Sequence, residues 1–338
     1  MVASHIPAPP SAGDRSAAPS LETLETILNV TYAWGYQDAR QKVRDLYEKA
    51  IRGQWIAADV LPWHCDVDLA KPMGPDVMMP LFGSDIWNKM TKPEREACNA
   101  ETSAWTLSQF LHGEQGALLA SAQLVDSVGD LDSKLYGATQ VVDEARHVDV
   151  YNRYLHEKIG FSYPINPHLK TLLDLVLKDS RWDMKFLGMQ IMVEGLALAA
   201  FGMIRQNTNE PLLRELTAYV IGDEARHVAF GILSLRDYYN DQPDAVKEER
   251  QDFIYEAARL MRDRFLFQEV WEKLGLPVAK CTEIALHNQG QVMFRQLLFA
   301  KIVPAIKKMG LLSGKLRGRF QELGILQYED STDPIFDV

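Results

Sequence analysis

The sequence predicts an all-α protein, a four-helix bundle with additional flanking helices. Three observations carry that expectation. From about residue 20 onward apolar residues recur at three- and four-residue spacing, with few alternating β-branched runs. The pattern is interrupted only at helix-breaking signals, at Asp130, at the Pro164/Pro167 pair, at Pro211 and at Pro277. The composition, 47% hydrophobic and 24% charged over 338 residues, is that of a chain that buries a substantial core.

Residues 1–20, with Pro7, Pro9, Pro10 and Pro19 among Ala and Ser, lack the continuous apolar core of an export signal and read as a disordered lead-in. A helical domain is expected over 21–310 and a C-terminal extension over 311–338. Within the domain the helices are expected at 21–52, 93–126, 131–158, 168–206, 210–238, 243–274 and 278–309. Three widely spaced cysteines, Cys65, Cys98 and Cys281, suggest neither a disulfide framework nor a zinc site and fit a reducing cytoplasm. The formal net charge of -10 argues against a phosphate-backbone partner, so nucleic acid is not expected.

Two helices have an odd composition. Between Thr102 and Val125 the only formally charged residue before the helix end is Glu114, and between Phe186 and Ile204 it is Glu194. Each stretch is long enough to resemble a membrane span, yet each carries a carboxylate at its middle and polar Gln109, Gln115 or Gln190 beside it. Buried helices of a bundle explain them better than a bilayer does. The rows Leu107, Leu111, Glu114, Leu118, Ser121, Val125 and Leu187, Ile191, Glu194, Leu198, Phe201 place each carboxylate in a core-facing seam. A buried carboxylate without a partner is strongly unfavourable, and a bound cation would compensate it.

A repeat supplies the rest. Asp143-Glu144-Ala145-Arg146-His147-Val148 recurs identically as Asp223-Glu224-Ala225-Arg226-His227-Val228, and Glu114 and Glu194 stand at the same offset. Each half is a helix with one buried Glu followed by a helix carrying Glu-x-x-His, a duplicated helix pair. Glu and His at i and i+3 share a helical face, so Glu144 with His147, and Glu224 with His227, can aim two ligands at one place. Packing the four helices together gathers four carboxylates and two imidazoles. This oxygen-rich set suits iron or manganese rather than zinc or copper. A single Glu-x-x-His is common on solvated helices; two in identical hexapeptides, each paired with a lone Glu, are not surface decoration.

The constellation resembles the ferritin-like di-iron carboxylate superfamily, and its paired Asp-Glu-x-Arg-His motifs are most similar to the oxygenase subunits of bacterial multicomponent monooxygenases. The resemblance covers roughly residues 100–230. It implies a ferritin-like bundle and two iron ions, or a Mn/Fe pair, held by Glu114, Glu144 and His147 on one side and Glu194, Glu224 and His227 on the other, with Glu144 and Glu224 bridging. Asp143 and Asp223 are the expected partners of the histidines, each serving the opposite half, with Arg146 and Arg226 neutralising them. Leu198 departs from those monooxygenases, which carry a hydroxylated residue at that place. Tyr151, four residues after His147, matches the offset of the radical tyrosine in the small subunit of ribonucleotide reductase, and Glu329, Asp330, Asp333 and Phe336 loosely resemble its C-terminal peptide.

The resemblance implies a soluble enzyme that activates O2 to oxidise a small organic substrate, with electrons from a separate reductase or ferredoxin. Homodimerisation is compatible with this and a membrane is not required. The substrate is expected against Ala117, Leu118, Ala197 and Leu198, with Gly113, Gly116 and Gly195 making room. The alternatives are a radical-generating subunit and an iron-oxidising, ferritin-like protein. Trp55, Trp63, His64 and Cys65 are expected to cover one end of the bundle as packing residues. His112 points off the ligand face, and Lys301, Lys307, Lys308, Lys315, Arg317 and Arg319 form a basic stretch suited to an acidic redox partner or to solvent.

Overall fold

The computed structural model describes residues 21–36, 40–71 and 73–332, and the expected lead-in at 1–20 lies outside them, as do Asp333 and Phe336. Among the described residues there is no strand. The helices that matter here are α1 (Gln41–Arg52), α2 (Lys92–Ser127), α3 (Leu131–Tyr154), α4 (Pro167–Lys178), α5 (Trp182–Asn207), α6 (Pro211–Leu235) and α7 (Asp244–Asp263).

Their starts follow from local chemistry. Glu94 accepts the Thr91 N–H at 2.7 Å, closing a capping box at the head of α2, and Pro93 sits in the first turn where no N–H is needed. Asp130 caps α3 by accepting the Ser133 N–H at 2.8 Å. Asn166 caps α4 ahead of Pro167, and Glu210 caps α6 ahead of Pro211. α2 pairs with α3 and α5 with α6 through short turns, and α4 lies in the long crossover between the pairs, the connectivity of a ferritin-like bundle. α1 lies along α3 and α6, and α7 packs on α4 and on the middle of α5.

Several expected helices are shorter than the periodicity suggested. Residues 21–36 are not helical. The Thr31 N–H is taken by the Asp126 carbonyl at 2.9 Å, and Asp132 holds the Arg40 N–H at 2.7 Å, so the helix begins only at Gln41. The expected helix at 168–206 is two, because the Asp179 side chain accepts the Arg181 N–H at 2.9 Å and offers the backbone a turn in place of the helix. The stretch 278–309 is three, Val278–His287, Gln289–Leu297 and Ile302–Lys308, with Asn288 accepting the Gln291 N–H to restart the second. The helix expected at 243–274 ends at Asp263 and bends through Arg264–Phe267 before Gln268–Lys273.

α5 is long and apolar enough to cross a membrane, and 72% of its most apolar window is buried inside the protein, where it serves as the central helix of the body. Residues Leu187–Val193 within it form a widened π-helical segment, every side chain buried, directly before Glu194. Close packing is visible at Gly116, where a Cβ would stand 2.5 Å from Leu173. The 311–338 extension folds back: Leu316, Phe320 and Ile325 are buried, and Glu329 and Asp330 pair with Arg317 and Lys307.

Candidate metal centre

Each of the four bundle helices brings its expected side chains to one place. α2 supplies Glu114, α3 supplies Glu144 and His147, α5 supplies Glu194, and α6 supplies Glu224 and His227, all of them buried. They form two overlapping groups. Glu114, Glu144, His147 and Glu224 have ligand atoms within 4.8 Å of one another, and so do Glu144, Glu194, Glu224 and His227. Glu144 and Glu224 belong to both.

The histidines aim inward. His147 Nδ1 lies 3.3 Å from Glu114, 3.4 Å from Glu144 and 3.2 Å from Glu224, while His227 Nδ1 lies 3.1 Å from Glu144 and 3.5 Å from Glu224. The two rings are 6.0 Å apart. Each outer nitrogen meets an aspartate of the opposite half: His147 Nε2 is 3.1 Å from Asp223 and His227 Nε2 is 3.4 Å from Asp143. Arg146 ties the halves together, its Nη2 donating to Asp143 at 2.5 Å and to Asp223 at 3.0 Å, and Arg226 pairs with Asp223. Neither arginine is a surface ion pair, since their side chains are 11% and 17% exposed.

The electrostatics are those of crowded charge in a dry place. Burial, reinforced by the Glu224 charge, pushes the Glu114 and Glu194 carboxyls well above the usual carboxylate range. Burial pulls Glu144 the same way, but the adjoining histidines outweigh it and hold it below that range. Burial opposes the charged form of His147 and His227, yet the surrounding carboxylates win and both are raised.

The donor set fits metal ions. Buried atoms facing the cluster lack any hydrogen-bond partner: Glu144 Oε2, Glu194 Oε2, both Glu224 oxygens and His227 Nδ1. Native interiors rarely leave so many polar atoms unsatisfied side by side, and divalent cations at the two overlapping groups would satisfy them together.

Other residues belong to the site although the pattern did not mark them. Gln140, one turn before Glu144, donates to Glu194 at 2.9 Å and to Glu144 at 3.3 Å. Its i−4 position was the available signal. Trp55 donates its indole N–H to Asp223 at 2.8 Å beneath the Arg146 guanidinium, so it contacts the histidine-holding network rather than merely packing. Gln54 donates to Asp143 at 2.8 Å. Tyr136 has its hydroxyl buried without a partner near His227, and so does Tyr151, which its offset from His147 had marked, near Glu114 and Glu224.

A narrow cavity opens onto the cluster, lined by Glu114, Glu194 and Glu224 on one side and by Phe110, Phe201 and Arg264 elsewhere. Ala117, Ala197 and Gly113 line it as expected, but Leu118 and Leu198 do not; Gly116 packs on Leu173 and Gly195 faces Ile302. Phe110 also borders a larger apolar cavity of about 100 Å³ with Met73, Met78 and Met203 in its walls.

Three secondary features are defined by the contacts they make. Trp63 lies under the Arg153 guanidinium, and the Trp63 and Cys65 carbonyls accept from Lys158, so this segment is tied to the end of α3. His112 bonds the Tyr163 carbonyl at 2.9 Å and does not reach the cavity. Lys307, Lys315, Arg317 and Arg319 are paired with acidic residues of this chain.

The profile of the p-aminobenzoate N-oxygenase AurF family matches residues 37–310, most of the chain and all six clustered residues. The chain belongs to the AurF family. It is thus an oxygen-dependent oxidoreductase of the ferritin-like superfamily, the class its repeated motifs indicated. Comparison with curated proteins finds no match. Among solved structures, an R2-like ligand-binding oxidase variant with anaerobically reconstituted Mn/Fe cofactor is 19% identical over 80% of this chain and 94% of its own, at a TM-score of 0.50. A second variant of that oxidase gives 19% identity, the same coverages and a TM-score of 0.49. At such identity the likeness concerns the fold.

Proposed function

We propose that this AurF-family chain is a dimetal N-oxygenase acting on a small aryl amine. The observation that carries the metal assignment is the pair of overlapping ligand groups with their unpartnered oxygens. Glu114 and His147 would hold one ion, Glu194 and His227 the other, and Glu144 and Glu224 would bridge them. The oxygen-rich set suits two iron ions or a Mn/Fe pair, and the solved R2-like oxidase structures with a Mn/Fe cofactor are consistent with either. N-oxygenation and the aryl amine rest on the family. Electrons would come from a separate reductase or ferredoxin, and the site of action would be the cytoplasm.

When bound, such ions supply the reduction of O2 and the delivery of one oxygen atom to the substrate. The chain's own residues do the rest. Asp223 and Asp143 orient the imidazoles so that Nδ1 faces the centre. Phe110, Phe201, Ala117 and Ala197 give the cavity apolar walls that keep bulk water from the reacting atoms.

The test is anaerobic loading followed by turnover. Two ferrous ions per chain are expected, falling when Glu144 or His227 is replaced by Ala, and p-aminobenzoate with reductant and 18O2 should yield a product carrying the label on nitrogen. A stoichiometry of one, or a site indifferent to both substitutions, overturns the metal assignment; labelled product only on carbon overturns N-oxygenation.

One observation favours a second reading. The Tyr151 hydroxyl is buried and unpartnered close to Glu114 and Glu224, where a radical-forming tyrosine would stand. A persistent paramagnetic tyrosyl signal after O2 exposure, abolished by Tyr151→Phe, would select it.

A further inference from the structure

The apolar chamber on the far side of Phe110 from the cluster is built as a site of its own. It lies between α2 and the C-terminal half of α5, which contribute Thr106 and Phe110 on one side and Ala200 and Met203 on the other, and it is covered by residues 73–80 and by the helix Gln289–Leu297. The two covering pieces are fastened together. Gln291 donates its side-chain N–H to the Met78 carbonyl, and Asn288 donates to the Phe82 carbonyl at 3.0 Å. A Cβ at position 290 would collide with the Val77 carbonyl, so glycine is what lets the helix seat this closely.

Most polar side chains around the chamber are bonded to backbone. The Thr106 hydroxyl donates to the Thr102 carbonyl at 2.8 Å, the Thr102 hydroxyl to the Cys98 carbonyl at 2.8 Å, and the Asn207 amide to the Met203 carbonyl at 2.7 Å. One acceptor is left over. Gln291 is 3% exposed; its bond to Met78 fixes which way the amide faces, and its Oε1 is buried without a partner. Among the described residues none that lines the chamber is charged. A buried acceptor without a donor is unfavourable, and an apolar cavity with one convergent polar group is the usual form of a small-molecule site.

We propose that this chamber is a second ligand site, for an uncharged single-ring aromatic molecule whose N–H or O–H donates to Gln291 Oε1. An ionised ligand would meet no counter-charge there. The size suits one ring, since an apolar cavity of about 150 Å³ takes up benzene. The chamber has about 100 Å³, and the flexible thioethers of Met73, Met78 and Met203 supply the remaining room. An outer cavity of about 400 Å³, with exposed Asp66, Asp68 and Lys71 at its rim, shares Met73, Pro75, Ser103 and Asn207 with the chamber and gives a way in from solvent. On the inner side Phe110 packs edge-on against Phe201 at 4.7 Å and divides the chamber from the cluster. None of the six clustered residues lines it, so the site requires no metal and stands apart from the N-oxygenation proposed above.

The test uses aniline and toluene, nearly equal in shape, of which only aniline has an N–H donor. Both are titrated calorimetrically into the full chain after chelator treatment, and wild type should take up one equivalent of each. Water sheds toluene more readily, so the measure is the change in the affinity ratio on mutation. Gln291→Met, which removes the acceptor and keeps the length, should weaken aniline relative to toluene roughly 5–100-fold, the usual effect of leaving a buried donor unsatisfied; Gln291→Leu serves should that variant fail to fold. Met203→Trp or Ala200→Phe, each of which fills the chamber, should abolish uptake of both probes and leave the anaerobic ferrous-ion stoichiometry at its wild-type value. Absence of uptake by wild type, uptake that survives filling of the chamber, or a ratio unchanged by replacing Gln291 overturns the site.

Discussion

The repeated hexapeptide marks its own ligands, but what holds them is shared between halves. Asp223 faces His147 and Asp143 faces His227, the crossed pairing that the duplication suggested, and Arg146 and Arg226 each reach both aspartates. The pairing is not symmetric, because Asp223 also accepts from the Trp55 indole whereas Asp143 accepts from the Gln54 amide. Trp55 and Gln54 were illegible as site residues since they precede the repeat by most of a hundred positions and have no counterpart in the second half. Gln140 was hidden for a related reason: the residue at the equivalent place in the other half is Val220, so self-comparison passes over it. If the aspartates fix imidazole orientation, Asp223→Ala and Asp143→Ala should each leave helix content unchanged and weaken ferrous-ion affinity roughly 10–100-fold. The shorter bond at Asp223 places the larger loss there. Competition with a chromogenic chelator measures both, and unchanged affinity in both variants would remove the aspartates from the site.

At the level of elements, periodicity located the bundle helices well where caps and prolines stood at their ends, and poorly where a break was made by a side chain turning on its own backbone. Asp179 splits 168–206 in this way, and the resulting loose end of α4 is closed from a distance. The Lys185 ammonium is fully buried and donates to the Val176 and Leu177 carbonyls at 3.3 Å and 3.4 Å, besides the Gln123 side chain. It thereby satisfies carbonyls that the helix terminus leaves open. Burial pushes its pKa down to about 8 from an ordinary 10.5. Between those values the unfolded chain holds a proton that the folded chain has released, so this residue's contribution to stability rises with pH across that window. Lys185→Met removes the rise. Urea midpoints at pH 7.5 and 9.5 should increase more for wild type than for the variant, and parallel behaviour would show that Lys185 keeps an ordinary pKa.

Over the whole molecule, four carboxylates are packed where folding alone gives them no sufficient partner, and the fold tolerates them because long apolar helices surround them on every side. The sequence showed this conflict directly, as one charge in the otherwise uncharged middle of each of two helices. It could not show the cavity, since the bend at Arg264–Phe267 and the widened turn ahead of Glu194 are produced by packing rather than by any local motif. The conflict has a measurable consequence for stability. Glu194 is raised well above its ordinary value chiefly by burial, so the metal-free core favours its neutral form relative to an exposed carboxylate. Glu194→Gln supplies the neutral form permanently and retains an oxygen for the Gln140 donor, so the metal-free variant should be more stable than metal-free wild type by about 1 kcal/mol, roughly 1–2 °C in Tm at this chain length. Loading should reverse the order. An ion held only by the folded state at a hundredfold excess over its Kd adds about 2.7 kcal/mol to wild type, and the variant, lacking one anionic ligand, should gain much less. Calorimetric scans of both proteins with chelator and with ferrous ion under anaerobic conditions give all four values, and a metal-free variant less stable than wild type would mean that Glu194 is already satisfied by the protein without a cation.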